Sequence, residues 1–112
     1  SCYTATTDFL SKHGDKATKF LRAVWKGTDY ALTHSAEDIA KLVAPYFDGT
    51  SNDLLVKAIT NYKIYDVWTT TPVTDKAAFE RIQDIMENAK QLSSRVKYNT
   101  IVDNTYANKI GK

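Results

Sequence analysis

Apolar positions in this 112-residue chain recur at steps of three and four with polar residues between them, the period of helices that bury one face. Ala17, Phe20, Leu21, Val24, Thr28, Ala31 and Leu32 follow that spacing and predict a helix from Asp15, which can cap it, to about residue 33. Ahead of it, Thr6 or Thr7 caps a brief helix carrying Phe9 and Leu10. His13-Gly14 ends this helix, glycine supplying a left-handed residue at little cost. Gly27, inside the long helix, costs about 1 kcal/mol relative to alanine and is read as permitting the close approach of another element. Next, Ser35-Ala-Glu-Asp38 reads as a capping box with acidic residues where the helix dipole favours them. Ile39, Leu42, Val43 and then Tyr46 or Phe47 give this helix its apolar face. Pro45 biases Ala44 toward leaving the helix, and Asp48-Gly49-Thr50 makes a turn. A further helix starts near Ser51 or Asn52 and carries Leu54, Leu55, Ala58, Ile59, Tyr62 and Tyr65.

Residues 62–92 organise the rest. Trp68 and the threonines Thr69, Thr70 and Thr71 precede Pro72, which lacks a backbone donor and pushes Thr71 toward an extended conformation, so no helix crosses this point. Beyond it Thr74 can cap a helix over about 74–91 whose face is Phe79, Ile82, Ile85, Met86 and Ala89. That face requires a partner. Residues 95–98 are expected to be extended, and Asn99 or Asp103 to start a last short turn or helix with Tyr106, Ala107 and Ile110. Residues 1–4 read as a strand stub. The expected class is mainly α: five to six helices with a short N-terminal strand stub, in a single helical segment over 1–112. The helical units are unequally spaced and no motif recurs, which argues against a solenoid.

Composition changes the picture little. With 43% hydrophobic and 25% charged residues the chain is that of an ordinary folded protein. Fifteen basic against thirteen acidic residues, interspersed, give a net charge of +2, and no argument for nucleic acid or an anionic membrane follows. The longest apolar run, Leu42-Val-Ala-Pro-Tyr-Phe47, falls far short of the roughly 20 residues that span a bilayer, and no helix has the strongly basic polar face of a membrane-surface helix. Ser1-Cys2-Tyr3 carries no secretion signal, so any signal is expected upstream. Cys2 is the sole cysteine, which excludes an internal disulfide and a thiolate metal site. A lipid-bearing cysteine is normally followed by a flexible tether, whereas residues 3–10 read as ordered. Cys2 is therefore read as a plain thiol.

A search for catalysis finds no nucleophile elbow, phosphate loop, dinucleotide turn or HExxH spacing. His13 and His34 sit at helix ends, where histidine commonly meets free carbonyls. Asp75, Glu80, Asp84 and Glu87 could suggest a metal, but with Lys76 and Arg81 nearby they read as a solvated charged face. The two Trp, seven Tyr and four Phe are more informative, since Tyr and Trp suit core edges and ligand pockets alike. Trp68, on an extended link, is the main ligand-binding candidate, and Tyr3 on the strand stub the second. Both have a structural reading as gap-filling aromatics. Tyr30, Tyr46, Tyr62 and Tyr65 are assigned to the core. No catalytic residue, metal site or cofactor is expected.

Phe20-Leu-Arg-Ala-Val-Trp-Lys-Gly27-Thr-Asp-Tyr30, His34-Ser-Ala-Glu-Asp-Ile-Ala40, Tyr62-Lys…Trp68…Thr71-Pro72-Val73, Phe79-Glu-Arg-Ile-Gln-Asp-Ile-Met86 and Arg95-Val…Tyr98…Val102-Asp-Asn-Thr-Tyr-Ala107 together resemble the C-terminal part of ABC-transporter substrate-binding proteins. The subgroup is the one serving nitrate, sulfonate, taurine and thiamine-precursor pyrimidines. The resemblance implies a fragment of the first lobe of a two-lobed α/β periplasmic-binding-protein fold. It also implies capture of a small polar or heteroaromatic solute, delivery to an ABC permease, and a full-length protein that is periplasmic or extracellular as a membrane-anchored lipoprotein. Such proteins are about three times longer, so this chain alone is not expected to hold ligand, and its exposed apolar helix faces are expected to self-associate. A self-standing helical interaction module is the alternative. A fungal thiamine-pyrimidine synthase shares the implied fold, but its cysteine-rich motif has no counterpart here.

Overall fold

The computed structural model describes residues 2–110, and among them five α-helices form: α1 (Thr7–Thr33), α2 (Ala36–Val43), α3 (Asn52–Ile64), α4 (Lys76–Asn88) and α5 (Tyr98–Ile101). Single 3₁₀ turns follow α2 at Ala44–Tyr46 and α5 at Ala107–Lys109. The class is mainly α, as expected. The strand stub is not formed: residues 2–6 have no regular structure, because a lone strand has no ladder partner for its backbone groups, and Ser1 lies outside the described residues. The helices divide into two compact units, Ser1–Leu21 with Thr71–Lys112, and Arg22–Thr70.

In the Arg22–Thr70 unit the capping reading holds atom by atom. The Ser35 hydroxyl accepts from the Asp38 N–H at 3.1 Å and donates to the Asp38 carboxylate at 2.7 Å, so α2 starts where the sequence places it. Ser51 does the same for α3, accepting from the Leu54 N–H at 3.3 Å. Pro45 turns the end of α2 into the tighter 3₁₀ form, and Gly49 takes a φ of +78° in the turn that follows. Between the two helices lies the core: Ala31, Ala36, Ile39, Ala40, Leu55 and Ile59 are buried, with Ala40 fully so, and Tyr30, Val43, Val56 and Trp68 pack around them. Three alanines in six core positions let the backbones come close.

Only half of each apolar face finds a neighbour. Leu42, Phe47 and Leu54 are exposed, and so are three tyrosines assigned to the core, Tyr46, Tyr62 and Tyr65. Periodicity identifies a face, but the facing helix covers just the strip around Ile39 and Ala40 on α2 and Leu55 and Ile59 on α3. Gly27 meets nothing within 4 Å, so it accommodates no close approach. α3 ends without glycine: Asp66 adopts φ +47°, the Val67 N–H reaches back to the Tyr62 carbonyl at 3.0 Å and the Asp66 N–H to that of Lys63 at 3.3 Å, a Schellman closure.

In the other unit, Thr6 caps α1 through the Phe9 N–H at 3.1 Å. The expected break between two helices is a kink at His13, whose φ of −137° and ψ of 34° leave the helical region. Gly14 is needed for space rather than for handedness. A Cβ there would lie 2.8 Å from Cε1 of Tyr106, and the Tyr106 hydroxyl donates to the Leu10 carbonyl at 3.1 Å, one turn before the kink.

α4 is capped by Asp75, whose carboxylate accepts from the Ala78 N–H at 2.8 Å, and not by Thr74. Thr74 is held instead by Asn104, which accepts from its N–H at 3.0 Å and donates to its carbonyl at 3.1 Å; the Tyr98 hydroxyl donates to the same carbonyl. The link at Pro72 stays free of helix, as expected. α4 closes with Lys90 at φ +55° in a second Schellman pattern, with Gln91 N–H on the Met86 carbonyl at 2.8 Å. Lys97 is extended, α5 begins at Tyr98, and Asp103 makes a local turn by accepting from the Thr105 N–H at 2.8 Å.

Candidate functional site

The sequence singles out Trp68, and its surroundings are set by how α3 stops. The left-handed Asp66 reverses the chain after one residue, which carries Trp68 back over the end of its own helix. There its ring meets Tyr62 edge-on, centroids 5.7 Å apart at 71°. Lys63, one residue on from Tyr62, donates to the Ala31 carbonyl at 2.6 Å and to that of Leu32 at 3.4 Å, free carbonyls at the C-terminus of α1. Its ammonium also stands 6.0 Å from the Trp68 ring, within reach of a cation–π attraction.

Leu32, Tyr62, Lys63, Asp66 and Trp68 line a recess of about 140 Å³. It offers an aromatic edge, a fixed cation and a carboxylate. Ligand pockets commonly run from about 300 to 1,000 Å³, so the recess has the size of part of a site. Trp68 packs half-buried against the α2–α3 core on one side and forms a wall of the recess on the other.

Tyr3 belongs to the other unit. It is exposed and sets its ring edge-on against Phe20, centroids 5.0 Å apart at 85°. His34 has the helix-end role expected of it. Its Nδ1 lies 3.0 Å from both the Tyr30 carbonyl and the Thr33 hydroxyl, and the ring stacks on Tyr30 at 3.6 Å. His13 sits at the kink with its ring 5.3 Å from that of Phe9. Cys2 is exposed.

The acidic residues of α4 are organised by a partner that local reading assigned only to an extended segment. Arg95 binds Glu80 at 2.8 Å, Asp84 at 2.6 Å and Glu87 at 2.8 Å, and also reaches the Glu80 carbonyl at 3.3 Å. Hydrogen bonds to Glu80 first, then Asp84 and Glu87, hold the guanidinium above the ordinary arginine range. Beside it Gln83 is buried, accepting from the Val96 N–H at 2.7 Å and donating to Glu80 at 3.2 Å. A polar residue among hydrophobics gives no local sign of such a role, because the backbone N–H it accepts from, that of Val96, lies 13 residues away in sequence. No set of three or more His, Cys, Asp or Glu side chains among the described residues could hold a metal ion, and no helix among them is long and apolar enough to cross a membrane.

No protein-family model matches this chain, and no solved structure does. Among curated proteins it is 30% identical over 108 residues to "Putative binding protein YtlA" of Bacillus subtilis (strain 168). The alignment takes in 96% of this chain and 32% of that protein, so the chain spans about a third of the length of the curated relative it matches.

Proposed function

We propose that this chain is the C-terminal part of a solute-binding protein serving an ABC importer, of the type that takes nitrate, sulfonates, taurine or thiamine-precursor pyrimidines. The observation that carries the reading is the similarity along nearly the whole chain to a protein three times as long that is described as a binding protein. The Trp68 recess fits this role in kind: it supplies an aromatic wall, a fixed cation and a carboxylate, groups that orient a small polar or heteroaromatic solute without transforming it. Its size fits a site completed by residues outside this chain. The full-length protein then captures solute, passes it to a membrane permease and works outside the cytoplasmic membrane as a lipid-anchored protein. No catalytic role is assigned to it.

The test is thermal unfolding of the full-length natural protein against pyrimidines, sulfonates, nitrate and aromatic acids. A solute at 100 times its dissociation constant stabilises by about 2.7 kcal/mol. Trp68→Ala is expected to abolish that gain while leaving the unliganded protein folded. Absence of a shift with every class, or an upstream gene sequence with no further strands and helices, rejects the reading.

A further inference from the structure

We infer that the Trp68 recess takes a small aromatic ring bearing a positive charge, and that Asp66 is the residue that selects it. The inference rests on the solute-binding reading above and narrows it. Where the recess lies sets its charge. Leu32 is in the last turn of α1, Lys63 in the last turn of α3 and Asp66 just beyond α3, so both helices end at the recess. A helix C-terminus carries about half a negative charge, so the two ends and the Asp66 carboxylate amount to about two. Lys63 is the one cation among the described residues that line the recess, which leaves about one negative charge in excess.

Lys63 is also already engaged. The carbonyls of Ala31 and Leu32 accept from its ammonium at 2.6 and 3.4 Å, so its charge holds the end of α1. Asp66 is not engaged. The turn it forms uses backbone groups only, the Asp66 N–H on the Lys63 carbonyl and the Val67 N–H on that of Tyr62. The same closure after α4 is made with Lys90, so the turn has no need of a carboxylate. Among the described residues the Asp66 side chain makes no hydrogen bond and no ion pair, Lys63 included.

The walls supply the aromatic part of the match. Trp68 and Tyr62 meet edge-on at 71°, so two rings form a corner above the carboxylate-bearing turn. Indole and phenol faces attract cations. An apolar protein cavity of about 150 Å³ holds one benzene ring. At about 140 Å³ the recess has room for one six-membered ring. A ring cation there meets an aromatic surface and an unpaired carboxylate, whereas nitrate or a sulfonate meets the same carboxylate and two helix C-termini, all of which repel it.

Thermal unfolding of the full-length natural protein at neutral pH tests this, with benzamidine and 4-aminopyridine as ring cations, benzenesulfonate and nitrate as anions, and an uncharged pyrimidine. The cations are expected to raise the Tm and the anions to leave it where it was. Asp66→Asn keeps the shape of the side chain and suits a left-handed backbone, so the unliganded Tm is expected to stay unchanged. Affinity for the cations is expected to fall about tenfold or more in that variant, the loss of one hydrogen bond between charged groups. A shift from nitrate, benzenesulfonate or the uncharged pyrimidine as large as that from the cations leaves the importer reading standing and overturns the inference. So does a cation shift that Asp66→Asn leaves intact. No shift from any probe removes both.

Discussion

Replacing Gly14 by alanine pits two effects of opposite sign against each other. In a helix interior alanine is favoured over glycine by about 1 kcal/mol. At this position the new methyl group lies 2.8 Å from Cε1, 3.0 Å from the hydroxyl oxygen and 3.3 Å from Cζ of Tyr106, so the ring has to move. The ring is not free to do so, because its hydroxyl is bound to the Leu10 carbonyl at 3.1 Å and the Lys109 ammonium sits 5.4 Å from its centre. Overpacking costs about 1–3 kcal/mol, and loss of the hydroxyl bond adds about 1 kcal/mol. Gly14→Ala is therefore expected to destabilise by about 1 kcal/mol or more. Once Tyr106→Ala has removed the obstacle, the same substitution is expected to stabilise by about 0.5–1 kcal/mol. Urea unfolding of the four proteins of the double-mutant cycle, followed by far-ultraviolet circular dichroism, reads a coupling of about 2 kcal/mol. Gly14→Ala that stabilises in both backgrounds refutes the reasoning, since glycine would then be no more than a weak helix residue.

Three further outcomes are expected. Gln83→Ala strips the buried acceptor from the Val96 N–H and costs about 1–3 kcal/mol, with amide exchange at Val96 accelerated; slow exchange there in the variant contradicts the bond. Lys90→Gly relieves a left-handed non-glycine residue and stabilises by about 0.5–1 kcal/mol after the entropy of glycine in the unfolded chain is set against it, measurable as a higher urea midpoint. Asp103 is held below its ordinary value by the hydrogen bonds from the Thr105 side chain and N–H, so the unfolded chain takes up that proton first as acid is added. Its contribution to stability is complete above the ordinary aspartate range and is lost as pH falls through the lowered value. Carboxyl-detected NMR that finds a midpoint at or above that of a model peptide removes this term.

Much of the fold is written in short-range chemistry. Ser35 and Ser51 cap helices three residues away, Pro72 stops a helix in one residue, and His13 breaks α1 where the sequence ends it, so local reading suffices. Where it failed, the cause lies far along the chain. Thr74 gave up the cap to Asp75 because Asn104, 30 residues on, occupies its backbone. Gly14 was assigned the left-handed residue of a helix end when what requires glycine there is the Tyr106 ring, and Gly27 a close approach that no element makes. The exposed Tyr46, Tyr62 and Tyr65 show that periodicity names a face without naming what covers it. At the candidate site, Trp68 was legible because an aromatic on an extended link is conspicuous. Lys63 was not, since only the fold brings the carbonyls of Ala31 and Leu32 to it.

The grip of Asn104 on Thr74 has a consequence for register. A side-chain amide presents N–H donors and a carbonyl, as a peptide group does, and here it engages both backbone groups of a single residue while also donating to the Tyr98 hydroxyl at 2.8 Å. Asn104 thus acts as a strand one peptide long. A real strand can slide along its neighbour by two residues and still pair, whereas a lone peptide group has no second position to move to. The first turn of α4 is indexed to residue 104 in this way, and a shortened or lengthened path between 75 and 103 has to be absorbed elsewhere without shifting where the helix begins.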